Sequence, residues 1–216
     1  MTGQGRLRRE VGLSGAILLG LGSMVGTGVF VSTGIAAGVA GPSLIAATLL
    51  AALVATANGL SSAQLAAAHP VSGGTYEYGY LWLSPALGFS AGWMFLLAKS
   101  ASAATAALGF GGYLLDLLNQ QGQGWRIGIA VTAALAITAF VAGGIRRSNA
   151  GNAVIVTVTL VGLVALVVFA APDALSEEGR ANFSPFFPAD RGGLEPLLHG
   201  AALMFVAFTG YGRIAT

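Results

Sequence analysis

GSMVGTGVF, residues 22–30, places three glycines and two hydroxyl residues in the middle of an apolar run that reaches from Leu13 to about Val39. A helix needs roughly 20 apolar residues to cross a hydrocarbon core about 30 Å thick, and this run exceeds that length. It follows Arg6, Arg8 and Arg9, and it is too long for the apolar part of a cleaved leader, so it reads as a retained span. Each interior glycine costs a helix about 1 kcal/mol relative to alanine, so the cluster weakens this span near its centre. A break at that depth exposes N–H and C=O groups that hydrocarbon cannot satisfy, and it is tolerated only where it lines a cavity or holds a ligand. Thr27 and Gly28 stand where the second half-helix would begin, and free N–H donors with a partial positive charge there suit a carboxylate. The freed carbonyls around Ser23 and Met24 would face an ammonium group or a cation. A second reading of the same glycines is packing alone, with Gly22-xxx-Gly26 and Gly34-xxx-Gly38 letting helices approach closely.

Outward from this run the chain keeps the same character. Its 216 residues are 55% hydrophobic and 8% charged, against roughly 25% charged in a soluble domain. Further apolar runs lie at 43–67, after a Gly41-Pro42 turn, and at 86–118, 127–142, 153–171 and 197–216. The expected fold is therefore an all-α integral membrane domain over residues 1–216 with about six transmembrane helices. Basic residues concentrate in cytoplasmic loops. With the N-terminus inside, Arg6, Arg8, Arg9, Arg146, Arg147 and Arg213 face the cytoplasm, against Arg126, Arg180 and Arg191 outside. That balance predicts a multi-pass protein of the cytoplasmic (inner) membrane with a cytoplasmic N-terminus.

The last run repeats the feature of the first. FVAFTGYGR, residues 205–213, again puts glycines and a threonine into an apolar segment and follows them with a charge. Interrupted first and sixth spans are the pattern of a transporter built from inverted repeats of five helices.

Three stretches carry a family resemblance. GSMVGTGVF resembles the glycine-rich break of the amino acid–polyamine–organocation (APC) transporters. HPVSGGTYEYGYLWLSPALGFSAGW, residues 69–93, is similar to that family's proline, double-glycine and tyrosine signature before span three. FVAFTGYGRIAT, residues 205–216, is similar to its span-six break. The resemblance implies a LeuT-type fold with spans one and six discontinuous, working by alternating access as a permease of amino acids or related amines. It implies that Gly26, Thr27 and Gly28 hold the substrate carboxylate. Carbonyls at Met24, Val206 and Thr209 would hold the amine, and Phe208 would be an aromatic gate or wall. Family members have about twelve spans. The chain would then hold the first repeat and the start of the second, lack a C-terminal half, and not transport alone.

Lys99 is a charge well inside an apolar run, and a central lysine costs about 2.5–3.5 kcal/mol on insertion scales, so it should face protein or a wet cavity. It either projects into the substrate pathway, where it would disfavour cationic substrates, or is a structural lysine near a helix end. Proton-using members of the resembled family often carry a lysine in span five, and the matching place here is Thr159. Sodium, a proton taken by another route, and substrate exchange therefore all stay open as coupling modes.

Other classes find little support. The chain has no cysteine and two histidines, and no nucleophile with its base, paired carboxylates or metal-ligand spacing shares a face, so neither an enzyme nor a metal site or cofactor is expected. The net charge of +2 is scattered and makes no nucleic-acid footprint. The alternative reading is a six-span channel, or a half-size transporter acting as an oligomer.

Overall fold

A backbone in hydrocarbon must satisfy its own hydrogen bonds, and an apolar chain meets that demand most simply as helix. A computed structural model describes residues 13–26, 28–70, 73–142, 145–187 and 194–210, and all regular structure among them is helical. In chain order the helices are α1 (Leu13–Met24), α2 (Thr33–Ala40), α3 (Leu44–Ala68), α4 (Thr75–Trp82), α5 (Pro85–Leu117), α6 (Gln123–Ala142), α7 (Ile145–Leu175), α8 (Glu177–Ala181) and α9 (Leu194–Phe208). A π-helical turn, Gly28–Ser32, leads into α2, and a 3₁₀ turn, Gly41–Ser43, joins α2 to α3. Four helical stretches, Gly15–Ala68, Pro85–Leu117, Gln123–Ala142 and Gly151–Leu175, are long and apolar enough to cross a membrane. The chain is thus a multi-pass membrane protein. The first stretch has 54 residues, about 80 Å if it were one straight helix. It is interrupted after Met24 and turned at Gly41, whose φ of 56° suits glycine.

The helices extend beyond the apolar runs that mark them. Helix α7 begins at Ile145 and α6 at Gln123, because hydrogen bonding carries a helix past the hydrocarbon into polar flanks. Hydroxyl residues inside the helices are self-satisfied: Thr56, Thr105, Thr132, Thr138 and Thr157 each donate to the carbonyl four residues back at 2.7–2.9 Å.

Packing relies on small residues, as expected where lipid tails are as apolar as any side chain and helix association depends on close approach. The buried core is mostly alanine, with Ala36, Ala51, Met204 and Ala207 forming its central cluster. Helix α9 packs on α2, α3 and the π turn. A Cβ on Gly200 would stand 2.8 Å from that of Ala40 and 3.3 Å from that of Ala47. Helix α5 pairs with α6, and α1 with α7.

The polar stretch between α3 and α5 contains a helix that hydropathy conceals. Gly73 (φ 125°) and Gly74 (φ 56°) make the left-handed turn that starts α4, and Ser84 caps α5 by accepting from the Leu87 N–H at 3.3 Å. Helix α4 folds back on α5 where Gly79 meets Gly88, and the Tyr76 ring covers Gly92. Tyr80, its ring 4.9 Å from that of Tyr76, raises the Tyr76 phenol above its ordinary value. Burial, a hydrogen bond with Tyr80 and the nearby Glu77 add to this in that order. His69 and Tyr78 close the cluster on the Trp82 ring at 5.8 and 5.4 Å.

These contacts separate glycines that pack from glycines that do not. Gly200→Val drives methyls into α2 and α3 and should lower the unfolding free energy by about 1–3 kcal/mol, as overpacking does. Gly162 has open space where a Cβ would stand, so Gly162→Ala should raise it by up to about 1 kcal/mol through helix propensity. Denaturant titration of the purified chain in detergent, followed by circular dichroism, measures both.

Candidate functional site

The interruption after α1 begins where its hydrogen-bond ladder ends. The Val25 N–H still donates to Leu21 O at 2.7 Å, and the next donors, Val29 and Phe30, both turn to Gly26 O at 3.0 and 3.2 Å. The widened π turn leaves the Phe30 carbonyl accessible, and the Tyr113 hydroxyl of α5 donates to it at 2.7 Å. Thr33 Oγ1 lies 3.4 Å from Gly28 O. The break is thus stabilised by its own turn and by a neighbouring helix, as a non-helical backbone in hydrocarbon requires.

The end of α9 lies against this break. Gly28 is buried, and a Cβ there would overlap the Ala207 backbone, standing 2.5 Å from its nitrogen. A Cβ on Gly210 would stand 2.6–2.7 Å from Ser23 Oγ, C and O. Ser23 Oγ donates to Gly210 O at 2.9 Å, with Gly20 O a second acceptor at 2.8 Å. After Phe208 the chain turns: Thr209 donates to Val206 O through its N–H at 3.2 Å and its hydroxyl at 2.8 Å, and Gly210 N–H donates to Phe208 O at 2.9 Å. The two glycine-containing interruptions, far apart in sequence, are in direct contact.

The sequence-derived candidates sort clearly. Met24, Gly26, Gly28, Val206, Phe208 and Thr209 all lie at these two helix ends. Thr27 lies outside the described residues. Gly26 has open space where a Cβ would be, so neither crowding nor its backbone angle explains the glycine, and a ligand could approach its backbone closely. Gly28 is a packing glycine. The Val206 carbonyl already accepts from Thr209. Met24 and Phe208 also border a cavity of about 590 Å³ along α3, whose other lining includes Ala55, Thr56, Gly59 and Ala63. Lys99 is exposed on α5 with its ammonium 5.7 Å from the Phe95 ring centroid, a weak cation–π contact. Thr159 is half-buried on α7, and α7 meets α1 higher up its sequence, through Gly22. There Asn152 Oδ1 lies 2.6 Å from where a Cβ would stand.

Of the paired glycines read as packing faces, Gly22 packs, whereas Gly26, Gly34 and Gly38 have open space beside them. Sequence reasoning missed the side chains of Ser23, Tyr113 and Asn152. A serine one residue before a break was the only signal for the first, and nothing local announced the other two. Among the described residues no group of His, Cys, Asp and Glu could hold a metal ion.

A family model described as "Amino acid permease" matches residues 11–215. The chain is 41% identical over 210 residues to an uncharacterized transporter of Mycobacterium tuberculosis, covering 97% of this chain and 45% of that protein. It is 31% identical to the branched-chain amino acid permease BcaP of Bacillus subtilis, over 100% of this chain and 48% of that one. It is 30% identical to the methylthioribose transporter of the same organism, over 97% and 47%. The chain therefore spans about half the length of the curated relatives it matches.

The two glycines of the first break should respond oppositely to one methyl group. Gly28→Ala has to displace the α9 backbone and should destabilise by about 1–3 kcal/mol or more. Gly26→Ala should leave folding within about 0.5 kcal/mol of the parent, as surface-like substitutions do. The same detergent unfolding assay, applied to both variants, reads the difference.

Proposed function

Because the chain belongs to the amino acid permease family, we propose that it forms the first half of a secondary transporter that carries amino acids or related compounds across the cytoplasmic membrane by alternating access. The observation that carries the reading is the contact between two helix interruptions, Met24–Gly28 and Phe208–Gly210, in a chain whose family and relatives are transporters rather than enzymes. In this reading the fold is of the LeuT type with six crossings in these residues, the N-terminus is cytoplasmic, and a second set of helices supplies the remaining wall.

The proposed chemistry follows from backbone dipoles. The amides of Gly26, Thr27 and Gly28 face a carboxylate at the start of the second half-helix, where the partial positive charge lies. Carbonyls at Met24 and Thr209 face the ammonium, the Val206 carbonyl being engaged by the Thr209 N–H and hydroxyl, and Phe208 closes the apolar side. A zwitterion then has both ends matched without any charged side chain, which spares the membrane an unpaired ion. Open space beside Gly26 supports close approach of a ligand to its amide.

One relative is named for branched-chain amino acids and another for methylthioribose, a compound of different chemistry. Two relatives of similar identity to this chain thus carry differently named substrates, which supports assigning side-chain selectivity to the wall outside these residues. The coupling ion, proton or sodium, we assign to no residue here, since Thr159 brings no charge to the position where a lysine would stand.

Uptake of radiolabelled amino acids into proteoliposomes tests the reading. The 216-residue chain alone should show no uptake above empty liposomes, and a polypeptide joining it to a relative's second half should transport. Gly26→Ala in that longer protein should cut uptake at least about tenfold, the loss of one to two backbone hydrogen bonds to a charged group. Robust uptake by the short chain would instead favour an oligomeric half-transporter, and substrate-independent ion currents would favour a channel.

A further inference from the structure

The contact between the two breaks contains one polar link. Ser23, the penultimate residue of α1, donates from Oγ to Gly210 O at 2.9 Å across 187 residues of sequence. Gly20 O, 2.8 Å away on the same helix, competes for the same hydroxyl proton. One proton serves one acceptor at a time. The bond to Gly210 is therefore made in exchange for an intrahelical one, and Ser23 is left satisfied in either state. Thr56, Thr105 and Thr132 bond to carbonyls of their own helices, whereas this serine also reaches across to another segment. Gly210 must be glycine for the link to form, because a Cβ there would fall on Ser23.

We propose that Ser23 is a positioning residue for the ligand site, fixing the Gly210 carbonyl of the second break against the Met24–Gly26 peptides of the first. It touches no substrate. Its hydroxyl holds two sets of backbone dipoles at a constant separation, so that one ligand can engage both. The buried Gly28–Ala207 contact sets how closely the segments approach, and the Ser23 link sets their register along the helix axis. This assignment rests on the transport reading for its consequence, while the link itself can be tested without it.

Two measurements separate the cases. In the 216-residue chain in lipid nanodiscs, Ser23→Ala should speed amide hydrogen exchange in peptides covering residues 205–210 about fivefold, the shift expected on losing one net hydrogen bond. Exchange in α6 should not change, and Ser23→Thr, which keeps the hydroxyl, should stay within about twofold of the parent. In the longer transporting polypeptide, Ser23→Ala should raise the KM for the amino acid about fivefold while kcat stays within about twofold, and Ser23→Thr should restore KM. A purely structural role would lower the amount of active transporter and leave KM unmoved, and that result overturns the proposal. So does unchanged exchange in Ser23→Ala, or a threonine variant that behaves like alanine. If the longer parent transports no amino acid, the transport reading fails, and the exchange data alone decide whether the link exists.

Discussion

Hydrocarbon offers no hydrogen bonds, and the rest of this structure depends on that constraint. A helix can be interrupted inside a membrane only if every freed group finds a partner in protein, water or ligand. The first break meets the constraint with local parts: the Gly26 carbonyl takes two N–H donors, a π turn restarts the helix, and Tyr113 caps Phe30 from α5. The second meets it by folding Thr209 and Gly210 back on Val206 and Phe208, and by accepting the Ser23 hydroxyl. Both interruptions give up helix propensity, and they do so where they touch each other.

Glycine serves two opposite purposes in that contact. At Gly28 and Gly210, where the breaks meet, and at Gly22, where α1 meets α7, glycine is present because a methyl group would strike a neighbour. At Gly26 it is present although nothing stands nearby. Crowded glycines bring the helices together, whereas the open one leaves its backbone uncovered by a neighbouring side chain. The distinction depends on the neighbours' positions and cannot be drawn from spacing.

The apolar runs and the turn at Gly41-Pro42 were readable because hydropathy and a glycine-proline pair are local signals. So was the interruption after Met24, which three glycines within seven residues announce. Helix α4 was not readable, since its apolar content lies in tyrosines and a tryptophan that pack on Gly88, Gly92 and His69 instead of entering lipid. Helix α8 is too short and polar to stand out, its start fixed by Ser176 accepting from Gly179 N–H at 3.0 Å. At the site, the two glycine-containing interruptions were legible as sequence, while the division of their glycines into packing and open positions was not. The Ser23 to Gly210 bond was beyond reach because its partners are 187 residues apart, and no periodicity links them.

On the proposed reading, a site made from peptide dipoles has a particular physical character. Side-chain substitution scarcely changes what a carbonyl or an amide offers, so on the proposed reading a zwitterion's two charged ends are recognised as long as the backbone keeps its path. What has to be kept is the set of contacts that hold that path: the glycines that permit close approach, the tyrosine that caps the π turn, and the hydroxyl that ties one break to the other. In this chain those supporting contacts are concentrated on α1, α5 and α9, and the cavity beside Met24 and Phe208 is lined by alanine, glycine, leucine and one threonine already bonded to its own helix. Such a surface presents no charge with which to choose among side chains. On the proposed reading, discrimination between one substrate and another comes from groups that face these helices, while the peptide dipoles supply the constant part of the binding.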